Sequence, residues 1–310
     1  MVSVKTGLAA MASETLDRTS EWLANLGEYR QPLTDVANAD RLVNRHAKRL
    51  RHCELWKSWL HYDKRRWARD ETRIVESLAR ETVISIYGEI SKSLPEADRI
   101  ALAKHAAKSE SDRSLRAMVA IARSDPIIRV HPSAFDADPW LLNAQNGTVD
   151  LRTGALRPHR PEDLITKICG APYIPDAVFE IWDAFLVKVQ PDPAMRRFLQ
   201  RAIGASLTGE PTEEHIFLTH GSGANGKTTF LESVRASLGD YAATADFESF
   251  LRRKGVTGAP RNDIARLFAT RFVTSAEVED GRRLAEALIK QLTLMRQNFT
   301  RLLAGVGRYG

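Results

Sequence analysis

The chain has 310 residues with 43% hydrophobic content, enough for two domains of ordinary size with buried cores. It has no continuous apolar stretch of signal-peptide or membrane-spanning length, which predicts a cytoplasmic protein with no membrane association. Cys53 and Cys169 are too few and too far apart for a disulfide framework or a thiolate zinc site, and both read as small apolar residues. The formal charge is +6, but Arg41–Asp70 holds ten Lys or Arg against three acids, so this segment is +7 and the rest is near neutral. Such a block suggests a surface that faces a polyanion.

In chain order, residues 1–30 read as a flexible arm. Asn38 is a candidate helix cap, with Leu42, Val43, Ala47 and Leu50 on one side of a basic helix. Trp56, Trp59 and Trp67 flank a turn at Asp63-Lys64, which predicts a short hairpin. These tryptophans are expected to fill a small core, although arginine-rich aromatic segments also stack on single-stranded nucleic acid. His46, His52 and His61 are spaced too irregularly for a metal site and are expected to be solvated. Val75, Leu78, Ala79, Thr82, Val83 and Ile86 have helical spacing, and Leu115, Met118, Val119 and Ala122 mark a later helix closed by Asp125-Pro126. Asn146-Gly147 and Thr153-Gly154 then punctuate short apolar runs, as in a β-hairpin region. A helical rhythm returns from Phe179 to Ile203, and a domain boundary is placed after residue 208, giving a mainly helical and β domain over 31–208.

After Gly209-Glu210-Pro211 the run His215–Thr219 predicts a buried strand leading into Gly221, Ser222, Gly223, Ala224, Asn225, Gly226, Lys227, Thr228 and Thr229. This is the complete phosphate-loop pattern. The glycines allow consecutive backbone N–H groups to turn toward phosphates, Lys227 is placed to reach the β and γ phosphates of ATP, and the Thr228 hydroxyl to hold Mg²⁺. Phe230, Leu231, Val234 and Leu238 continue as an amphipathic helix, so the loop lies at a helix N-terminus, where anions are favoured. Hydrolysis also needs an acid at the end of a neighbouring strand. Glu277, after Phe272–Ala276, is the candidate for that role and for Mg²⁺; an acidic surface turn is the other reading of the same residues. Arg252, Arg253 and Lys254 form a basic loop with potential to face DNA.

The stretch Gly223-Ala224-Asn225-Gly226-Lys227-Thr228-Thr229-Phe230 resembles the phage and plasmid primase-helicase family, whose AAA+-type ATPase belongs to helicase superfamily 3. Asn146-Gly147, Asp150-Leu151, Thr153-Gly154 and Leu207-Thr208-Gly209 upstream, and Asp263–Leu267, Ser275-Ala276-Glu277 and Ile289–Thr293 downstream, are similar to that family too. The resemblance implies ATP-driven DNA unwinding by a homo-hexamer that engages single-stranded or forked DNA, with Glu277 as the catalytic acid beside Lys227 and with Lys290 near DNA. It implies an α/β fold: the helical and β domain, then a phosphate-loop core over 209–293.

Two departures set further expectations. No polymerising primase domain precedes Leu33, so primer synthesis is not expected. Residues 294–310 are unlike the family and read as an atypical tail. The strand between those of the phosphate loop and the acid is then expected to be missing, with two inner edges unpaired and the ATPase core incomplete. Two other readings are a non-catalytic remnant that binds DNA or joins other subunits, and a small-molecule phosphotransferase, for which neither a lid nor a basic clamp is evident.

Overall fold

The computed structural model describes residues 32–209, 216–221, 225–246, 267, 269–275 and 302–307. The chain divides into two units, one formed by residues up to His46 with Val75–Pro126, the other by Ala47–Ile74 with Ile127 onward. Among the described residues no helix is long and apolar enough to cross a membrane. The flexible arm expected over 1–30 lies outside the described residues.

The first unit is helical: α1 (Asp35–His46), α2 (Ile74–Gly88), α3 (Glu96–Ser109) and α4 (Asp112–Ala122). The six positions read as a helical face from Val75 to Ile86 are the buried ones of α2. Helix α3 was not foreseen, because only Leu102, Ala106 and Ser109 of its 14 residues are buried, too few to mark a face. Asn38 is a correction. The helix starts earlier, where the Thr34 hydroxyl accepts from Ala37 N, and Asn38 is a fully buried interior residue whose amide donates to Ser109 Oγ at 2.9 Å. Arg41, 5% exposed, forms a fork to Glu89, with Nε and Nη2 each 2.9 Å from a carboxylate oxygen.

The second unit begins with an antiparallel meander, β1 (Leu50–Cys53), β2 (Ser58–Tyr62) and β3 (Trp67–Arg69). Leu50, read as the end of a helix, is instead the first residue of β1, opposite His61. The hairpin at Asp63-Lys64 is present: Lys64 adopts φ 77° and the Asp63 carboxylate accepts from the Arg65 and Arg66 amides, both at 2.8 Å. Trp67 and Trp59 are buried as core residues, and Trp67 packs with Cys53, Leu60 and Phe135. His46 and His52 are buried rather than solvated, and His52 meets Trp59 edge-on at 5.1 Å. A second meander follows, β4 (Leu141–Ala144), β5 (Gly147–Asp150) and β6 (Ala155–Arg157), turned at the two glycines noted in the sequence. The helical stretch from Phe179 resolves into α5 (Glu180–Val189) and α6 (Pro193–Ser206), separated by Pro191 and capped anew by Asp192, whose carboxylate accepts from Ala194 N at 2.8 Å.

The remaining elements are β7 (Ile216–Gly221), α7 (Lys227–Leu238), β8 (Ala242–Ala245), β9 (Phe272–Ser275) and β10 (Leu302–Gly307). The four strands form a parallel sheet in the order β7-β10-β9-β8. The expected gap between the phosphate-loop strand and the acid strand is therefore filled. Leu302 lies opposite both Ile216 and Val273, and β10 pairs with each neighbour. The run Leu-Leu-Ala-Gly-Val-Gly has the short, charge-free character of a central parallel strand, which a reading by family likeness alone passed over.

Residues on the two sides of position 208 pack together. Leu142, Ala144, Val149 and Cys169, before it, share one buried cluster with Val234, Leu238, Tyr241 and Phe272, after it. Burial raises the Cys169 thiol to about 11, in keeping with a buried, inert residue.

Candidate nucleotide site

Parallel strands end in carbonyls and hand the chain to helices through short turns, and the turn after β7 does this with glycine. Gly226 adopts φ 81°, a left-handed conformation that glycine enters without steric penalty, and is the N-cap of α7. It has no side chain to cap the helix, so the first turn of α7 presents its backbone donors without a capping acceptor from that residue. Lys227 is the first residue of the helix; Thr228 and Thr229 follow on its first turn, both exposed. The structure thus brings Gly221, Asn225, Gly226, Lys227, Thr228 and Thr229 to one end of the sheet. Ser222, Gly223, Ala224, Glu277, Arg252, Arg253, Lys254 and Lys290 lie outside the described residues.

Lys227 Nζ donates to Asn225 Oδ1 at 2.9 Å. The ammonium is thus held inside the turn by a neutral amide, an acceptor that an anionic phosphate oxygen would outcompete.

Helix α5 lies against this turn. A Cβ added at Gly226 would fall 2.5 Å from Val189 Cγ1 and 3.2 Å from Phe185 Cε2. Trp182 of the same helix stacks on Phe230 of α7, with ring centroids 5.7 Å apart and planes 12° from parallel. Between α5, α6 and β7 is a cavity of about 450 Å³, with Lys227, Asn225 and Gly226 in its wall. Sequence reading identified the helical rhythm of Trp182 and Phe185 but not their packing on the turn, because the partner of an apolar face is not written in its periodicity.

The region is fastened to earlier parts of the same unit. Gly170 N donates to Ser237 O at 3.0 Å, and Asp240 N to Ile168 O at 3.0 Å. Asp240 also forms an ion pair with Arg66. Arg271, one residue before β9, is 5% exposed and donates to the carbonyls of Leu207 at 2.6 Å and Leu141 at 2.7 Å. The Tyr241 hydroxyl accepts from Asn143 N at 3.2 Å; burial raises its pKa above the ordinary phenol value, since a phenolate there would lose its hydration.

Comparison with known proteins gives a family and two relatives. The family described as "D5 N terminal like" matches residues 39–201. The chain is similar to "Putative helicase L207/L206" of Acanthamoeba polyphaga mimivirus, 30% identical over 135 residues, which are 42% of this chain and 14% of that protein. It is also similar to "Putative helicase 022R" of Frog virus 3 (isolate Goorha), 27% identical over 239 residues, 56% of this chain and 25% of that protein. The chain therefore spans a quarter or less of the length of these relatives.

Proposed function

This chain belongs to the D5 N-terminal-like family, and we propose that it carries the ATP-binding part of a DNA helicase of the superfamily 3, primase-associated kind, acting in replication of a mobile element. The observation that carries this reading is Gly226 at φ 81° capping α7, five residues beyond the end of the parallel strand β7, with Lys227 as the first helical residue. Helix N-termini after such turns favour phosphates through their backbone donors and dipole. The two viral relatives, both named as helicases, support the same class of protein.

In this reading Lys227 exchanges its bond to Asn225 for the β and γ phosphates of ATP, while Gly221, Ser222, Gly223, Ala224 and Thr229 complete the cradle. The Thr228 hydroxyl, exposed on the first turn, suits Mg²⁺, with Glu277 as its second protein partner and as the base that orients the attacking water. Bound Mg²⁺ supplies charge neutralisation at the phosphates. Arg252, Arg253, Lys254 and Lys290 are proposed to contact DNA, and a homo-hexamer is the proposed assembly.

The deciding experiment measures ATP binding and hydrolysis with and without single-stranded DNA in the wild-type chain, Lys227→Ala and Glu277→Gln. Expected are loss of binding in Lys227→Ala, and retained binding without turnover in Glu277→Gln. Nucleotide binding that survives Lys227→Ala would sink the proposal. Salt-sensitive DNA binding without turnover in any variant would favour a non-catalytic DNA-binding role.

A further inference from the structure

Helix α5 is apolar on two faces, and its own chain covers only one of them. Trp182, Phe185 and Val189 turn toward α7 and its glycine cap. The positions on the other side, Glu180, Ile181, Ala184, Val187 and Lys188, are all exposed. Spacings of three and four residues set them in one stripe along the helix. Ile181 is 89% exposed and Val187 53%, and Val178, just before the helix, is 80% exposed. No residue of α5 is fully buried. A row of aliphatic side chains open to water on one helix is the kind of surface that marks contact with another protein.

The charges of the stripe identify its occupant. Glu180 closes the N-terminal end and Lys188 the C-terminal end, and among the described residues neither forms an ion pair within the chain. We propose that a second copy of this chain docks here, its α5 crossing antiparallel about Ala184, so that Glu180 of each copy meets Lys188 of the other. The same crossing sets each Ile181 against Val187 of the other copy, and the small Ala184 at the centre lets the two helices approach closely. A parallel pairing would instead oppose Glu180 to Glu180 and Lys188 to Lys188. Antiparallel helix dipoles favour the same orientation. The contact is isologous: one patch serves both copies and is used up after two. It does not depend on the nucleotide reading. It is also distinct from the contacts of a ring, which are heterologous; where copies form rings, it joins two rings.

Sedimentation equilibrium of the full chain tests the contact. Ile181→Asp is expected to halve the mass of the assembly, from two copies to one or from a double ring to a single ring. Ile181 is uncovered by its own chain and an acid suits the first turn of a helix, so the far-ultraviolet circular dichroism is expected to stay the same. Glu180→Lys and Lys188→Glu, each alone, set like charges against each other at both ends of the crossing and are expected to weaken self-association by about tenfold. An equimolar mixture of these two variants restores opposite charges at both ends and is expected to associate as tightly as the wild type. A mass that Ile181→Asp leaves unchanged would overturn the proposal, whether the wild type is a single copy or a larger assembly. A fall of more than half would overturn it too, by placing α5 in a ring contact. So would a mixture that associates no more tightly than either charge variant alone, because only the antiparallel crossing predicts the rescue.

Discussion

The guanidinium of Arg271 lies over the ring of Tyr241, 4.5 Å from its centroid, while Arg271 N donates to the Tyr241 carbonyl at 2.7 Å. The same side chain holds the carbonyls of Leu207 and Leu141, so one buried cation joins three segments on either side of residue 208. Arg271→Ala removes both charge-assisted bonds and leaves two carbonyls without that donor. A loss of about 2–4 kcal/mol in unfolding free energy is expected. Urea denaturation checks it. Arg271→Lys, which keeps the charge but not the fork, is expected to recover less than half; a wild-type midpoint in Arg271→Ala would show that the junction does not depend on this residue.

Two glycines give opposite expectations under the same substitution. A Cβ at Gly170 would lie 2.0 Å from the carbonyl oxygen of Ala236, a backbone atom that cannot rotate away. Gly170→Ala must push the segment around Cys169 and Gly170 off the end of α7 and is expected to cost about 3 kcal/mol. Gly88, at the end of α2, has nothing within 4 Å of its added Cβ. Gly88→Ala is expected to stabilise by about 0.5–1 kcal/mol, by reducing the freedom of the unfolded chain. Thermal midpoints of the two variants, moving in opposite directions, are the readout.

The local elements were largely legible in the sequence and the long-range partners were not. The face of α2 and the turns at Asp63-Lys64 and Thr153-Gly154 follow from residue spacing and conformational preference, and the structure has them where expected. The strand ending at Gly221 and the helix starting at Lys227 were equally plain, because glycines punctuate the sequence between an apolar run and an amphipathic one. Asn38 was misassigned because a buried amide and a capping amide look alike until Ser109 and His105 are seen beside it. Strand β10 was missed for a related reason: a six-residue apolar run has no periodicity to distinguish it from a tail, and only pairing with β7 and β9 gives it a place.

His105 provides a pH-dependent prediction for the helical unit. Its pKa is lowered below the ordinary imidazole value, first by burial and then by the positive charge of Arg41. The ring is hydrogen-bonded to Asn38 Oδ1 at 3.0 Å. A histidine that binds its proton less readily when folded favours folding fully above the unfolded pKa of about 6.5, and this contribution is lost as the pH falls through that value and the unfolded chain takes up the proton. Stability is therefore expected to decline between about pH 7.5 and 5. His105→Gln should flatten this part of the profile while lowering stability at pH 7.5, measured by urea denaturation across the range. A slope identical to that of the wild type would assign the pH dependence to other groups.

Gly226 and Val189 are placed so that substitution at one is felt through the other. Gly226→Ala faces two penalties: an L-residue at φ 81°, which costs about 1–2 kcal/mol, and contact with Val189 Cγ1 at 2.5 Å. Val189→Ala removes the obstructing methyl groups but not the backbone strain. In a double-mutant cycle the pair should recover about 1 kcal/mol relative to the sum of the single changes, with the strain remaining. Nucleotide affinity gives the functional side of the cycle. If the turn holds phosphates in the conformation seen here, Gly226→Ala weakens tripolyphosphate as well as ATP, and Val189→Ala restores only the part that came from the collision. Complete restoration would mean that the steric contact of α5, rather than the left-handed turn, requires glycine at position 226.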